Sequence, residues 1–517
     1  MSTILQVTSN LPTLRTNVQN AIKSMEILSK HFDDKGFGRM FADIFKGLLR
    51  YNSTQKCWYY YDGKVWKEDL STAKTKEYAK IFSDELNIFY EGVGLAERDM
   101  REIYKLNSHA KRNTVMAEAN SIDDVKTEDF DKDIFLLNCQ NGTVDLRTGE
   151  LRPHNADDLL SKIADVYYDS SATCERWIQF MNEVMEGNNE MIDYLQRILG
   201  ICLTGETKEE EFYIFYGPGT RNGKSTLLET IRRLLGSTKG YAVNVDTSTF
   251  SARARTAGAP SSDKARLAGA RLATVNEWHK NTEIDASVIK SVTGGDRQTG
   301  RFMRQNDFEY TPEYKLIINA NHLPNISDDT LFSSDRVRVI LFNRHFSEEE
   351  QDKTLKNTLR QRESLSGILN WLLEGLRKYH EEGLPLPQLV IEETAKYRED
   401  CDKIGCFMTD CLEESANNTT FKEVYEVYKK WTVQNGCGCE KLSRFKQQLG
   451  QRLTIAKNAS VGTTGNKTTG YNVVMGYTIV AEYQEELSQS KRPNRYGIRD
   501  TGYVSGTDGT DDPIDMF

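Results

Sequence analysis

At 517 residues the chain is long enough for two to four domains, each able to bury a core of its own. A net charge of −9 excludes a protein that coats nucleic acid over its whole surface, so any contact with a polyanion has to be local. Apolar runs are short and broken by charge and no basic-then-apolar leader opens the chain, so a soluble intracellular protein is expected, without membrane span or secretory signal.

Residues 1–170 mix helical patterns (17–32 and 38–49) with an aromatic strand at 57–61, after which Asp62-Gly63 turns the chain into Val65-Trp66. Short strands follow at 136–138 and 142–146, with a further turn at Thr148-Gly149, which makes this a mixed α/β domain. Over 171–207 apolar residues recur at helical spacing (Trp177, Phe180, Met181, Val184; then Ile192, Leu195, Ile198, Leu199) and break at 187–189, predicting a helical hairpin ahead of the next domain. Residues 208–345 alternate apolar strands with loops and helices, the layout of a nucleotide-binding α/β domain. A helical, charged extension occupies 346–402.

Residues 403–482 combine a basic, helix-rich stretch with 470–480, which reads as a β-hairpin, and that order points to a winged-helix module. Five of the nine cysteines (Cys401, Cys406, Cys411, Cys437, Cys439) cluster at this end. They lack the paired Cys-x-x-Cys spacing of zinc sites and read as free thiols. The segment 483–517 is rich in Gly, Ser and Asp with little to bury, and is expected to be a disordered acidic tail.

The strongest signal is the run 212–235, an apolar strand, a glycine-bearing loop and an amphipathic helix. In the loop, Gly217 and Gly219 leave room for backbone N–H groups to close round phosphates, with Asn222, Gly223, Lys224, Ser225 and Thr226 at the helix start. Lys224 is placed to meet the β- and γ-phosphates of ATP and Ser225 to hold Mg²⁺. The usual pattern has a glycine five residues before Gly223, where this chain has Pro218, so the loop is one residue longer than usual.

Three later strands carry the remaining chemistry. The strand 271–275 runs into Asn276-Glu277, and a carboxylate there can orient the attacking water, which makes Glu277 the candidate base. The strand at 315–320 ends in amides; Asn321 is the candidate for contact with the γ-phosphate or its water, and Asn319 the alternative. Arg336 and Arg338 follow one pleat apart. Either could be offered to the γ-phosphate of a neighbouring subunit, the bland alternative being an ion pair, and Arg336 is preferred.

Two basic stretches are candidate DNA contacts. Residues 290–304 carry four basic residues, among them Lys290, Arg301 and Arg304, against Asp296 alone. Residues 421–457 carry eight against three acids, with Arg444 and Lys446 on the basic helix.

In the order Lys224-Ser225, Glu277, Asn321 and Arg336, these motifs resemble superfamily 3 helicases, a branch of the AAA+ ATPases, and among them the phage and plasmid primase-helicases related to the poxvirus primase-helicase. The stretch 289–296 with Arg301, Phe308 and Pro312 is similar to that family's extra motif, which precedes a hairpin projecting into the ring channel. Upstream, Asn138, Gly142, Asp145-Leu146, Thr148-Gly149 and His154 look like the domain that precedes the motor in these proteins. The resemblance covers residues 30–345 and, more loosely, continues to 480.

What the resemblance implies is an N-terminal α/β domain, a helical collar, an AAA+ P-loop core and a C-terminal winged helix. It further implies hexameric rings, Mg-ATP hydrolysis between subunits, and 3′-to-5′ movement on single-stranded DNA at a fork or origin, in the bacterial host cytoplasm of a phage or mobile element. Many relatives carry a primase domain ahead of this region, and primer synthesis is not expected of this chain. Asn276 departs from the acidic or small residue often found at its position. The tail, closing on Met516-Phe517 among aspartates, resembles the C-terminal peptide of bacterial single-strand binding proteins and could reach a replication partner. Two other readings compete: a DNA-packaging or loading ATPase, and an origin-binding initiator for which ATP is an assembly switch. The basic stretch at 290–304 discriminates, because a translocase needs cations in its channel and a switch does not.

Overall fold

The structure, a computed structural model, describes residues 11–24, 31–123, 126–127, 130–236, 239–252, 262–279, 282–301, 307–436, 438–461 and 468–484. The chain forms two compact units, Met1–Arg398 and Glu399–Phe517.

The first unit opens with helices α1 (Leu11–Ser24) and α2 (Asp34–Phe45), strands β1 (Leu49–Asn52), β2 (Cys57–Tyr61) and β3 (Trp66–Glu68), then helices α3 (Ala73–Val93), α4 (Glu97–Lys105) and α5 (His109–Ala119) and strand β4 (Lys126–Thr127). The strands form one sheet in the order β3-β2-β1-β4. Phe37, Phe41, Phe45, Phe82 and Tyr90 fill the core between the helices. The Asp33 carboxylate caps α2 by accepting from Gly36 N. The helix expected over 38–49 stops at Phe45, because Leu49–Asn52 pairs with the aromatic strand β2 in antiparallel register. Helix α1 lies earlier than the expected 17–32, of which residues 25–30 fall outside the described residues.

Strands β5 (Leu136–Cys139), β6 (Gly142–Asp145) and β7 (Glu150–Arg152) form an antiparallel meander, followed by the expected helical hairpin, α6 (Glu175–Val184) and α7 (Asn189–Ile201). The Asn188 side chain caps α7 by accepting from Met191 N. The domain boundary expected at residue 170 is not a packing boundary. Leu137, Val144, Leu146 and Val166 share one apolar core with α6, α7 and the next sheet. Arg271 donates to Leu136 O at 2.8 Å, and Asn138 N donates to Tyr241 Oη at 3.2 Å.

That next sheet holds β8 (Phe212–Tyr216), β9 (Ala242–Val245), β10 (Leu272–Val275), β13 (Lys315–Ala320) and β14 (Val337–Leu341), all parallel, in the order β14-β8-β13-β10-β9. Every residue of β10 and β13 is buried, as in a sheet covered on both faces. Between the strands lie α8 (Lys224–Leu235), α9 (Ser262–Arg266), α10 (Ala286–Thr293), the two-stranded hairpin β11 (Gln298–Gly300) and β12 (Phe308–Tyr310), and α11 (Thr330–Ser333). Helices α12 (Leu355–Leu359), α13 (Arg362–Glu382) and α14 (Gln388–Cys401) follow. Helix α13 lies against α7 at backbone contact, where a Cβ on Gly375 would come within 2.1 Å of Gln196 O.

The second unit contains α15 (Lys403–Cys411), β15 (Leu412–Glu414), β16 (Thr419–Thr420), α16 (Phe421–Gln434), α17 (Leu442–Gly450), β17 (Ile455–Val461), β18 (Thr468–Val474) and β19 (Tyr477–Ile479). Phe407, Tyr428, Trp431 and Phe445 stack in its core. The hairpin expected at 470–480 is corrected: β18 pairs with β17 and β16, while β19 pairs with β15. The turn at Met475-Gly476, where Gly476 has φ +75°, carries the chain from one sheet to the other. No helix among the described residues is long and apolar enough to cross a membrane.

Candidate functional site

The loop between β8 and α8 sits at the carboxyl ends of the parallel strands, where an open α/β sheet leaves a crevice. Gly223 occupies the N-cap of α8 with φ +85°, a conformation that strains any other residue, and offers no side chain to the helix's first N–H groups. Those donors are left to whatever enters the loop. At Gly217 a Cβ would come within 2.3 Å of Asn222 Nδ2 and 2.7 Å of both Lys224 Nζ and Phe342 O, so the loop closes only over glycine. Asn222, itself buried, donates to Gly219 O at 2.9 Å and braces the curve from inside.

Lys224 is 2% exposed. Its ammonium donates to Gly217 O at 3.2 Å and to Asn321 Oδ1 at 3.1 Å, both neutral oxygens, and burial pushes its pKa down to about 8. A buried cation whose partners among the described residues are neutral oxygens, at the N-terminus of a helix without a side-chain cap, fits the phosphates of a nucleotide. Ser225 is exposed at the same rim, with Asn319 Nδ2 donating to its Oγ at 3.4 Å. The two asparagines left open by the sequence thus do different things: Asn321 reaches Lys224, and Asn319 reaches Ser225.

Glu277 lies two residues beyond β10, exposed, with φ +54°. A non-glycine residue in that region costs on the order of 1–3 kcal/mol, and such strain collects at functional sites. Trp278 N donates to Asn319 O at 3.2 Å, which folds the Glu277 turn back over the end of β13 and toward the loop.

The extra residue of the loop is clamped. His345 Nδ1 lies 2.9 Å from Thr220 O, and Phe346 N donates to Arg221 O at 2.9 Å. Beside the clamp is a cavity of about 340 Å³ whose walls include Phe180, Arg221, Thr226, Phe346, Leu355 and Lys356. Nothing in the spacing of His345 or Phe346 marks them in the sequence.

Arg336 and Arg338 part company. Arg338 forms a buried ion pair with Glu211 at 2.7 Å, and burial pushes the Glu211 carboxyl up to about 7 even with that partner. Arg336 stands at the opposite end of the sheet from the loop, since Val337 pairs with Phe212, the first residue of β8. At about 3.3 Å per residue, that puts roughly 16 Å of strand between Arg336 and the loop of its own chain. Its guanidinium donates to Thr293 Oγ1 at 2.6 Å and to Glu210 Oε2 at 2.5 Å.

Of the candidate DNA contacts, Lys290 donates to Asp328 Oδ2 at 2.8 Å and to Thr330 Oγ1. Arg301 follows β11, 3.7 Å from Asp307, while Arg304 lies outside the described residues. In the second unit Arg444 is half exposed and 3.4 Å from Glu440, and Lys446 donates to Asn472 Oδ1 at 2.9 Å. The tail from 485 onward, and Cys437, also lie outside the described residues.

The family model described as D5 N terminal like matches residues 38–186, and that of a family of unknown function, DUF5906, matches residues 215–336. A protein of Acanthamoeba polyphaga mimivirus is 26% identical over 427 residues, covering 78% of this chain and 42% of its own length. One of Invertebrate iridescent virus 3 is 24% identical over 499 residues, covering 82% of this chain and 52% of its own. Their names class both as helicases on a provisional basis. The chain spans about half the length of the curated relatives it matches. A solved structure of the C-terminal region of NrS-1 is similar at TM-score 0.44 and 10% identity, over 86% of this chain and 100% of that one. The chain is thus similar to the D5 N terminal like family over residues 38–186 and to viral proteins whose names class them as helicases.

Proposed function

We propose that the chain is an ATP-driven motor that moves on single-stranded DNA as a ring, a replicative helicase of a phage, virus or mobile element. The observation that carries this reading is the separation of two half-sites on one sheet. Lys224 and Asn321 meet at 3.1 Å at the carboxyl ends of the strands, and Arg336 stands at their amino ends, beyond reach of its own loop. Such a chain completes its site only with a neighbour, which favours a closed oligomer, expected to be a hexamer. The strand order β14-β8-β13-β10-β9 supports an AAA+ core of the superfamily 3 type, α6 and α7 a collar, and the second unit a winged helix.

In this reading Gly217, Gly219, Asn222 and Gly223 shape the loop, Lys224 holds the β- and γ-phosphates of ATP, and Ser225 and Thr226 flank them. Ser225 would hold Mg²⁺, which when bound would supply positive charge to the phosphates. Glu277 orients the attacking water and takes its proton, Asn321 holds the γ-phosphate side of that water, and Arg336 of the neighbour stabilises the transferring group. The cavity beside Phe180 and Phe346 is large enough for a base and ribose. Arg301 and Arg304 are assigned to the strand in the channel, Lys290 to the ion pair with Asp328 that fixes α10, and Arg444 and Lys446 to forked or origin duplex. Movement 3′-to-5′ and a replication partner for the tail rest on resemblance.

The test is DNA-stimulated ATP hydrolysis. Lys224→Ala should lose nucleotide binding and hydrolysis together, whereas Glu277→Gln should bind ATP with hydrolysis down at least ~100-fold. Near wild-type hydrolysis by Glu277→Gln would overturn the assignment.

A further inference from the structure

The guanidinium of Arg336 is held by two groups from elements that the proposed motor otherwise keeps separate. One is Glu210, just before β8, which takes one nitrogen on its carboxylate at 2.5 Å and the other on its carbonyl at 3.4 Å. The other is Thr293, the last residue of α10, whose hydroxyl donates to Ile289 O at 2.8 Å and therefore presents a lone pair to Arg336, which donates to it at 2.6 Å. Thr293 is 7% exposed, so no water competes freely for that contact. The backbone of Arg336 is fixed, its N–H on Leu331 O at 3.1 Å and its carbonyl taken by Phe212 N at 2.9 Å. Only the side chain is left to move. Glu210 and Asp335, the residues that flank it, have φ +53° and +55°, strain that the fold holds on both sides of one arginine.

Thr293 leads straight to the hairpin. Between α10 and β11 the chain passes Gly294 and Gly295, and this passage is pinned. Gln298 Nε2 donates to Ser291 Oγ at 2.6 Å and to Asp296 O at 3.1 Å, and Asp296 N donates to Ser291 O at 3.0 Å. A Cβ on Gly294 would stand 3.7 Å from both terminal nitrogens of Arg336, so the arginine packs on this connection as well as bonding to it. Gln298 of β11 thus reaches Ser291 of α10 directly and again through Asp296, and Thr293 at the end of α10 reaches Arg336 by one hydrogen bond.

We propose that Thr293 is a positioning residue through which the β11–β12 hairpin sets where the Arg336 guanidinium points, so that DNA on the hairpin controls hydrolysis at the neighbouring subunit's nucleotide. This rests on the reading of Arg336 as a finger acting in trans and of the hairpin as a DNA contact. Thr293 does not touch nucleotide or DNA. Its hydroxyl ties the arginine to the hairpin's own helix, while Glu210 supplies the resting counter-charge.

The experiment compares ATP hydrolysis by the full chain with and without a single-stranded oligonucleotide, and the ratio of the two rates is the readout. Thr293→Val keeps the shape and removes the hydroxyl. Its ratio should fall at least ~5-fold toward one, with oligonucleotide affinity unchanged within ~2-fold, and Thr293→Ser should restore it. Ser291→Ala, which cuts the tie to Gln298 one step earlier, should lower the ratio in the same direction and serves if the valine variant does not fold. A wild-type ratio in either variant would overturn the proposal. Arg336→Ala is the control: hydrolysis at the wild-type rate there would mean that the finger reading has failed, whereas an inactive Arg336→Ala beside a normal Thr293→Val would sink the relay alone.

Discussion

Lys224 is a buried amine whose partners are a backbone carbonyl and a side-chain amide, and its pKa of about 8 lies below the ordinary 10.5 of a lysine. In the folded chain the charged form is disfavoured, so protons leave Lys224 near pH 8 while an unfolded chain would keep them to about 10.5, and stability gains from this group as pH rises between the two. Phosphates reverse the preference by stabilising the ammonium. Nucleotide binding should therefore take up a proton around and above pH 8 and weaken as pH rises further, by up to about tenfold per unit. Calorimetric titrations in buffers of different ionisation enthalpy read this uptake; proton release, or none, would show that Lys224 does not face the phosphates. At this scale the sequence singled out Lys224 and Asn321, which the fold brings to 3.1 Å from each other, because strand, glycine and amide each have a local signature. It preferred Arg336 to Arg338 without access to their partners, because Glu210 and Glu211 are adjacent in the chain and only the sheet decides which of the two is the less exposed.

Among elements, the hairpin β11–β12 shows what spacing can and cannot say. Four basic residues at 290–304 read as one patch, yet the fold divides them. Lys290 is spent on Asp328 and Thr330, tying α10 to the start of α11, whereas Arg301 follows β11 at the end of the strand pair away from α10, 3.7 Å from Asp307. Replacing Arg301 and Arg304 by alanine should thus lower the salt slope of single-strand binding, by roughly 0.7 for each phosphate no longer neutralised, and Lys290→Ala should leave that slope nearly unchanged. An equal drop from Lys290→Ala, measured by anisotropy across salt concentrations, would return it to the channel. The parallel strands were legible because strands buried on both faces are short apolar runs. Helix α3 was not. Its buried face mixes Thr75, Ser83, Glu85 and Asn87 with Ala79, Phe82, Leu86 and Tyr90, and Glu85 is satisfied by Arg15 and Gln19 from α1, so the polar residues blur the apolar stripe. The misread pairing at 470–480 has another cause, since alternation and a turn identify two strands without saying which strand each one joins.

For the whole molecule, the core that runs from β5 through α6, α7 and the parallel sheet to α13 means that the segment preceding the loop shares its packing with the sheet that carries the loop. Sequence pattern divided it at 170 because apolar residues recur at helical spacing from there on, while the hydrogen bonds that join Leu136 and Asn138 to Arg271 and Tyr241 bridge more than 100 residues and leave no local mark. The two half-sites at opposite ends of that sheet give the molecule its functional meaning only if neighbours close on one another and the closing does work on DNA. Strand displacement from a forked duplex by the assembled chain is the measurement that reaches this claim most directly. Wild-type protein with ATP and Mg²⁺ should release the strand and Glu277→Gln should hold the fork without releasing it; assembled wild-type rings that hydrolyse ATP and leave the duplex intact would contradict the account.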